Sequence, residues 1–168
     1  MRISDTLLPE FDLEMATTRK CLARIPADKF TFKPHPKSFD MGALAMHIAT
    51  MIDWGATTLE SDNFDYAPVG GAPYVPPVAK TNAELLATFD SGSAKFRAAL
   101  AATENDAMMA PWSLLAGGKT IFTMPRVAVL RGMIFNHIVH HRGQLSVYLR
   151  MCDIPVPAIY GPSADEAS

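Results

Sequence analysis

The sequence predicts an all-α protein, a four-helix bundle, on three observations. Four segments of roughly twenty residues carry apolar side chains at three- and four-residue spacing, the period of a helix with one buried face. Two long connections rich in proline, the second also holding Gly70 and Gly71, separate them. Histidines fall on the apolar stripes of two of the four segments, and bundle cores commonly hold metals on side chains of facing helices. At 168 residues the chain fits one bundle domain, residues 1–168, with a sizeable core.

The first segment follows Ser4 and Asp5. Leu7, Phe11, Met15, Thr18, Leu22 and Ile25 form one stripe, and Pro26 stops it. Residues Lys29 to Lys37 hold Pro34, His35 and Pro36 and read as an extended connector. The second helix is expected to start at Ser38, a residue type that caps helix N-termini. Leu44, His47, Met51, Trp54 and Thr58 share its face, and it ends near Ser61. A long loop follows from Asp62 to Lys80, and a loop of that length is functional or mobile. The loop could line the open side of a site or simply connect two helices.

Thr81-Asn82-Ala83-Glu84 is a capping-box pattern opening the third helix. Leu85, Phe89, Phe96 and Leu100 form its apolar face. Trp112–Leu115 and Lys119–Phe122 flank Gly117-Gly118, the pattern of a short β-hairpin between helices three and four. The fourth helix begins near Pro125 and runs to about Cys152. Leu130, Met133, Ile134, His137, His141, Gln144, Leu145 and Tyr148 mark one side of it, and Phe135, Ile138, Val139 and Leu149 the other. Two apolar faces predict two buried surfaces, one in the bundle and one in a homodimer contact. The tail from Ile154 is rich in proline and irregular.

Composition excludes several classes. The chain is 49% apolar and 19% charged with a net charge of −2. No basic run exceeds two residues, so neither a nucleic acid nor an anionic membrane surface is an expected partner. No membrane span or signal peptide is expected. Cys21 and Cys152 read as reduced, packed thiols, which points to the cytoplasm.

His137 and His141 lie four residues apart and point the same way from a helix. With His47 from another helix they could hold one metal ion and leave coordination positions open. A lone buried histidine such as His47 is more often a hydrogen-bonded core residue, but an i,i+4 pair is harder to account for that way. His140 points about 100° away from His141 and is the weaker ligand. It is expected at the bundle edge or subunit contact. His35, between prolines, is expected in solvent. Ile138 stands where a zincin has its glutamate, so the peptidase reading lacks its general base. No Ser-His-Asp grouping and no phosphate loop is discernible.

The segment Asn136-His137-Ile138-Val139-His140-His141-Arg142-Gly143-Gln144-Leu145 strongly resembles the DinB family of metal-dependent proteins. The likeness continues through Ile154–Ser163 and includes Met46-His47-Ile48-Ala49 with Trp54. The resemblance implies an up-down-down-up bundle, usually homodimeric. It implies a divalent ion, zinc, nickel or iron, held by His47, His137 and His141. Relatives include transferases and isomerases that use a low-molecular-weight thiol such as mycothiol, bacillithiol or glutathione, and the family name records DNA-damage induction without implying DNA binding.

The expected function is that of a divalent-metal-dependent enzyme, a hydrolase or thiol-dependent transferase, acting on a small molecule. The alternative is a metal-binding stress-response protein without turnover. No catalytic residue is assigned. Tyr148 and Asp53 are candidate proton carriers, better read as a core residue and a solvated helix residue. Gln144 could hydrogen-bond a histidine, and Arg142 is expected to pair with an acid or cap an interface.

Overall fold

A computed structural model describes residues 1–167. Helix α1 (Ile3–Ala23) is followed by a 3-10 turn (Ala27–Lys29) and α2 (Met41–Glu60). Strand β1 (Asn63–Asp65) leads to α3 (Asn82–Ala102) and the short α4 (Asn105–Met109). Strands β2 (Pro111–Ala116) and β3 (Lys119–Pro125) precede a last helical rod. The rod has three parts: α5 (Arg126–Val129), a π-helical stretch (Leu130–Phe135) and α6 (Asn136–Met151). The four long helical segments expected from sequence are all present.

α3 packs between α1 and α2, and α6 packs against both on the other side. Going round the bundle the order is therefore α1, α3, α2, α6. Consecutive helices α1 and α2 sit on a diagonal, which long connections permit. The whole expected stripe of α1, from Leu7 to Ile25, is buried. Phe11, Phe96 and Phe135 meet edge-on or tilted, with centroids 5.1 to 6.2 Å apart, joining α1, α3 and the π-helical stretch. Edge-to-face contacts of this kind suit the ring quadrupole.

Helix α2 starts later than expected. Its cap is Asp40, whose Oδ1 accepts from the Ala43 amide at 2.7 Å, while the Ser38 amide is held in a turn by the His35 carbonyl. Ser38 and Asp40 are both suitable caps, and only the backbone course distinguishes them. On α3 the Thr81 hydroxyl accepts from the Glu84 amide, but Glu84 returns its bond to the Lys80 amide. The capping box is thus offset by one residue.

The hairpin forms around Gly117 and Gly118, whose φ values of 60° and 75° suit a tight two-residue turn. β1, from the stretch read as loop, adds a third strand in parallel to β2. Asp65 at its end accepts from the amides of Gly117 and Gly118 at 3.1 and 2.7 Å, tying that loop to the turn.

Two features went unread in the sequence. Arg126, buried at the head of the last rod, donates to the carbonyls of Thr58 (2.8 Å) and Ser61 (3.1 Å) and to Asp62 (2.6 Å). It closes the C-terminus of α2, where carbonyls lack helical partners. The π-helical stretch is the second. A wider turn shifts the phase of all that follows by about one residue, roughly 100°.

The two-faced reading of the fourth helix is corrected: Ile138 stands seven residues before Leu145 and Leu149 four after it, so the three share one helical face. Phe135, Ile138 and Leu149 are core residues of the bundle and form no outer apolar face. Met133, expected on the histidine side, is 40% exposed, and Val147 and Met151 are the other large apolar side chains that α6 leaves in solvent.

Candidate metal centre

His47 comes from α2, and His137 and His141 from the first two turns of α6, immediately after the π-helical stretch. Their side chains converge. One ring nitrogen of each lies within 4.8 Å of the others. Ring centroids are 4.7 Å apart for His47 and His141, and 5.3 Å for His47 and His137. The core stripe of α6 runs through Ile138, Arg142, Leu145 and Leu149, and the two histidines flank it toward α2.

The hydrogen bonds fix the chemistry of these nitrogens. His141 Nδ1 donates to Gln144 Oε1 at 2.7 Å, and His137 Nδ1 donates to the Met133 carbonyl at 3.3 Å. Each acceptor is an oxygen with no proton to give, so each Nδ1 carries the hydrogen. The remaining Nε2 atoms then carry lone pairs, and they stand 2.9 Å apart. Two lone pairs at that distance repel unless a proton or a cation lies between them.

Protonation is disfavoured. Burial is the main cause of a lowered pKa at His137 and His141, with neighbouring imidazoles adding to it. Burial and the charges of His141 and His137 push His47 down to about 4. Near neutral pH all three rings are therefore free bases. Neither ring nitrogen of His47 has a hydrogen-bond partner among the described residues.

A divalent cation fits the set. Imidazole nitrogens lie about 2.0–2.1 Å from zinc, so two on one ion are about 3.3–3.4 Å apart at the tetrahedral angle and about 2.8–3.0 Å apart at a right angle. The observed 2.9 Å matches the right-angle spacing of an ion with more than four ligands. The Gln144 and Met133 bonds are the outer contacts that typically hold a ligating histidine in one tautomer.

The other expected residues fall as follows. His140 is exposed, its ring centroid 4.9 Å from that of His141, and it stands outside the converging group. His35 is in solvent. Tyr148 packs on Phe32 and donates to the Phe39 carbonyl at 3.2 Å, so its hydroxyl serves the fold. Arg142 is 1% exposed and pairs with Glu14 at 2.7 Å. It also bonds Thr18 and the hydroxyl of Tyr160, locking α6 to α1 and the tail. Asp53 lines a separate aromatic pocket one to two turns along α2 from His47.

The long loop does line the site. Tyr74 and Pro76 join Thr50, Met51 and Trp54 around a cavity of about 190 Å³ whose wall includes His47 and His137. Among the described residues no carboxylate lines that cavity. A second hollow of about 490 Å³ also reaches His47, walled by Phe30, Phe39, Met46 and the Pro76–Ala79 strip, and shares Pro76 with the first.

Fold and site define a histidine-bearing four-helix bundle of the DinB type. The DinB family model matches residues 2–168, and the chain belongs to the DinB family. It is 28% identical over 163 residues to an uncharacterised protein, YrdA, of Bacillus subtilis strain 168, covering 96% of this chain and 90% of YrdA. Crystal structures of DinB-like proteins share the fold. One from Bacillus cereus ATCC 10987 has a TM-score of 0.68 at 22% identity, covering 91% of this chain and 95% of that one. YjoA of Bacillus subtilis has a TM-score of 0.70 at 19% identity, covering 90% and 96%. No helix is long and apolar enough to cross a membrane among the described residues.

Proposed function

We propose that this protein holds one divalent metal ion on His47, His137 and His141 and uses it in chemistry on a small organic molecule. The reaction class is hydrolysis or transfer to a low-molecular-weight thiol. The observation that carries the reading is the pair of Nε2 lone pairs, 2.9 Å apart, each with its Nδ1 proton committed elsewhere. Zinc, nickel and iron all suit imidazole donors.

Three neutral ligands leave the full double charge of the ion in place, so it supplies Lewis acidity to a water, thiol or carbonyl reaching its open side. The protein supplies the rest. Gln144 and the Met133 carbonyl orient the rings. Trp54, Tyr74 and Pro76 wall the smaller cavity, and the Phe30, Phe39 and Met46 hollow offers apolar surface to a substrate. Among the described residues the cavity walled by His47 and His137 has no carboxylate, and Asp40, which borders the larger hollow, is engaged in capping the Ala43 amide, so a nucleophile that ionises near neutrality on a cation suits the site best.

Elemental analysis of untagged protein tests the ion. We expect about one metal per chain after exposure to Zn²⁺, Ni²⁺ or Fe²⁺ and its loss in His137→Ala. A ratio near zero in the parent protein overturns the reading. Metal-loaded protein is then screened with esters, amides and thiol-plus-electrophile pairs. Equal rates with and without metal would remove the catalytic part, and inertness toward every substrate favours a metal-binding stress protein. The homodimer rests on the family resemblance alone, now that Phe135, Ile138 and Leu149 are core. Light scattering at micromolar concentration decides it.

A further inference from the structure

The pocket beside the histidine cavity has a different chemistry. It is lined by Trp54, Phe64, Tyr74 and Trp112, with Asp53 and Thr57, and encloses about 140 Å³. Trp54 and Tyr74 wall both spaces, so the two adjoin. Rings from three elements make up the walls. Trp54 comes from α2, Phe64 from β1 and Trp112 from β2, while Tyr74 comes from the long loop. Trp54 and Phe64 centroids are 5.2 Å apart, and those of Trp54 and Tyr74 5.9 Å. The three-stranded sheet therefore has a purpose at this site: it brings two of the four rings to α2.

The carboxylate is the unusual element. Asp53 is half-buried, and its side chain makes no hydrogen bond or ion pair among the described residues. Lys95, the cation whose charge bears on it, is instead bonded to Glu60 at 3.2 Å. Gly92 on α3 leaves room for the acid, since a Cβ there would lie 3.0 Å from its Oδ1. Thr57 donates its hydroxyl hydrogen to the Asp53 carbonyl at 3.0 Å, which leaves the hydroxyl oxygen as an acceptor. An unpaired carboxylate among aromatic faces, with the Thr57 oxygen as a further acceptor, is complementary to a positive group; the one buried donor without a partner among the lining residues is the Trp112 indole N–H.

We propose that this pocket binds an organic ammonium group, with Asp53 as its counter-ion and Trp54, Phe64, Tyr74 and Trp112 as its cage. Its volume is close to the roughly 150 Å³ that suffices for a benzene-sized guest. A tetramethylammonium or short alkylammonium head fits that space. Next to the histidine cavity, the pocket selects small molecules that carry a cationic nitrogen a few bonds from the group presented to the metal centre. The pocket itself needs no metal, so it stands or falls separately from the metal reading.

The chain has two tryptophans, and both line this pocket. Their indole N–H resonances and fluorescence report on it without a label. Metal-free protein near neutral pH is titrated with tetramethylammonium and n-butylammonium chloride, with sodium chloride as the ionic-strength control. tert-Butanol and n-butanol serve as neutral probes of similar size. We expect both indole signals to shift saturably with the cations, at dissociation constants of about 1 mM. The alcohols should bind at least about tenfold more weakly. Asp53→Asn should weaken cation binding by about tenfold and Tyr74→Leu, on an exposed loop, by several-fold. His137→Ala should leave both constants unchanged. Equal binding of alcohols and cations overturns the proposal, as does an unaltered constant in Asp53→Asn. So does a failure of either cation to shift the indoles of a parent protein with intact helical circular dichroism.

Discussion

Gln144 Oε1 accepts the Nδ1 proton of His141 at 2.7 Å, and through that bond an exposed amide decides which nitrogen of a buried imidazole faces the other two histidines. Without it, His141 could present its protonated nitrogen to the centre. Gln144→Ala should therefore lower metal affinity by about 10- to 100-fold, the usual cost of losing an outer-sphere partner. Isothermal titration with Zn²⁺ checks this, and Gln144→Glu, which keeps an acceptor, should retain most of the affinity. An unchanged constant in Gln144→Ala would show that the tautomer is held by something else.

His140 and His141 are adjacent in sequence and differ sharply in consequence. His141→Ala should abolish tight metal binding, and His140→Ala should leave it within a few-fold of the parent, because the exposed ring stands outside the converging group. The reverse order of effects would transfer the ligand role to His140.

Acid should weaken the metal-free fold through His47. Its folded pKa is pushed down to about 4, below the ordinary imidazole value, first by burial and then by His141 and His137. Between those two values the unfolded chain binds more protons than the folded one, so stability falls as pH falls through that window. The contribution is fully present above about pH 6.5 and is lost progressively toward pH 4. Urea melts from neutral to mildly acid pH should show this loss, and His47→Asn should reduce it. A parent and variant with the same pH slope would sink the assignment.

Arg142 and Glu14 form a buried pair at 2.7 Å, with Tyr160 hydroxyl contacts of 2.6 Å to the arginine and 2.9 Å to the acid. Removing one partner leaves a charge with no water to solvate it. Glu14→Gln should destabilise by about 3–5 kcal/mol, and the double change Glu14→Leu, Arg142→Met by much less. Denaturant unfolding of both variants settles it, and a single variant as stable as the double would contradict the buried-charge account.

Much of the bundle was legible in the sequence because helical periodicity records which face is buried. The stripe from Leu7 to Ile25 on α1, and Leu85, Phe89, Phe96 and Leu100 on α3, are buried as their spacing implies. The candidate metal residues were legible for a related reason: an i,i+4 pair is a local property of one helix, and His47 followed from its place on a second stripe and the family likeness. Gly117-Gly118 carried the hairpin in the same local way.

What the sequence left open was set by interactions between distant segments. The π-helical stretch breaks the helical period without any residue type that announces it, and within it Phe135 turns inward and Met133 outward; Ile138 and Leu149 share the face of Leu145, and packing in the bundle covers that single face. Parallel pairing of β1 with β2 joins residues some fifty positions apart, and a three-residue strand has no period to read. Arg126 reaches the carbonyl ends of α2 only once the last rod lies beside them. The convergence of three imidazoles, the placement of Tyr74 and Pro76 over them, and the unpaired Asp53 among four rings belong to the same class. The sequence by itself determined four amphipathic helices and the residue types able to bind a cation. The tertiary structure decided which nitrogens face one another and which carboxylate is left without a partner, because those are distances between elements, and no local pattern encodes them.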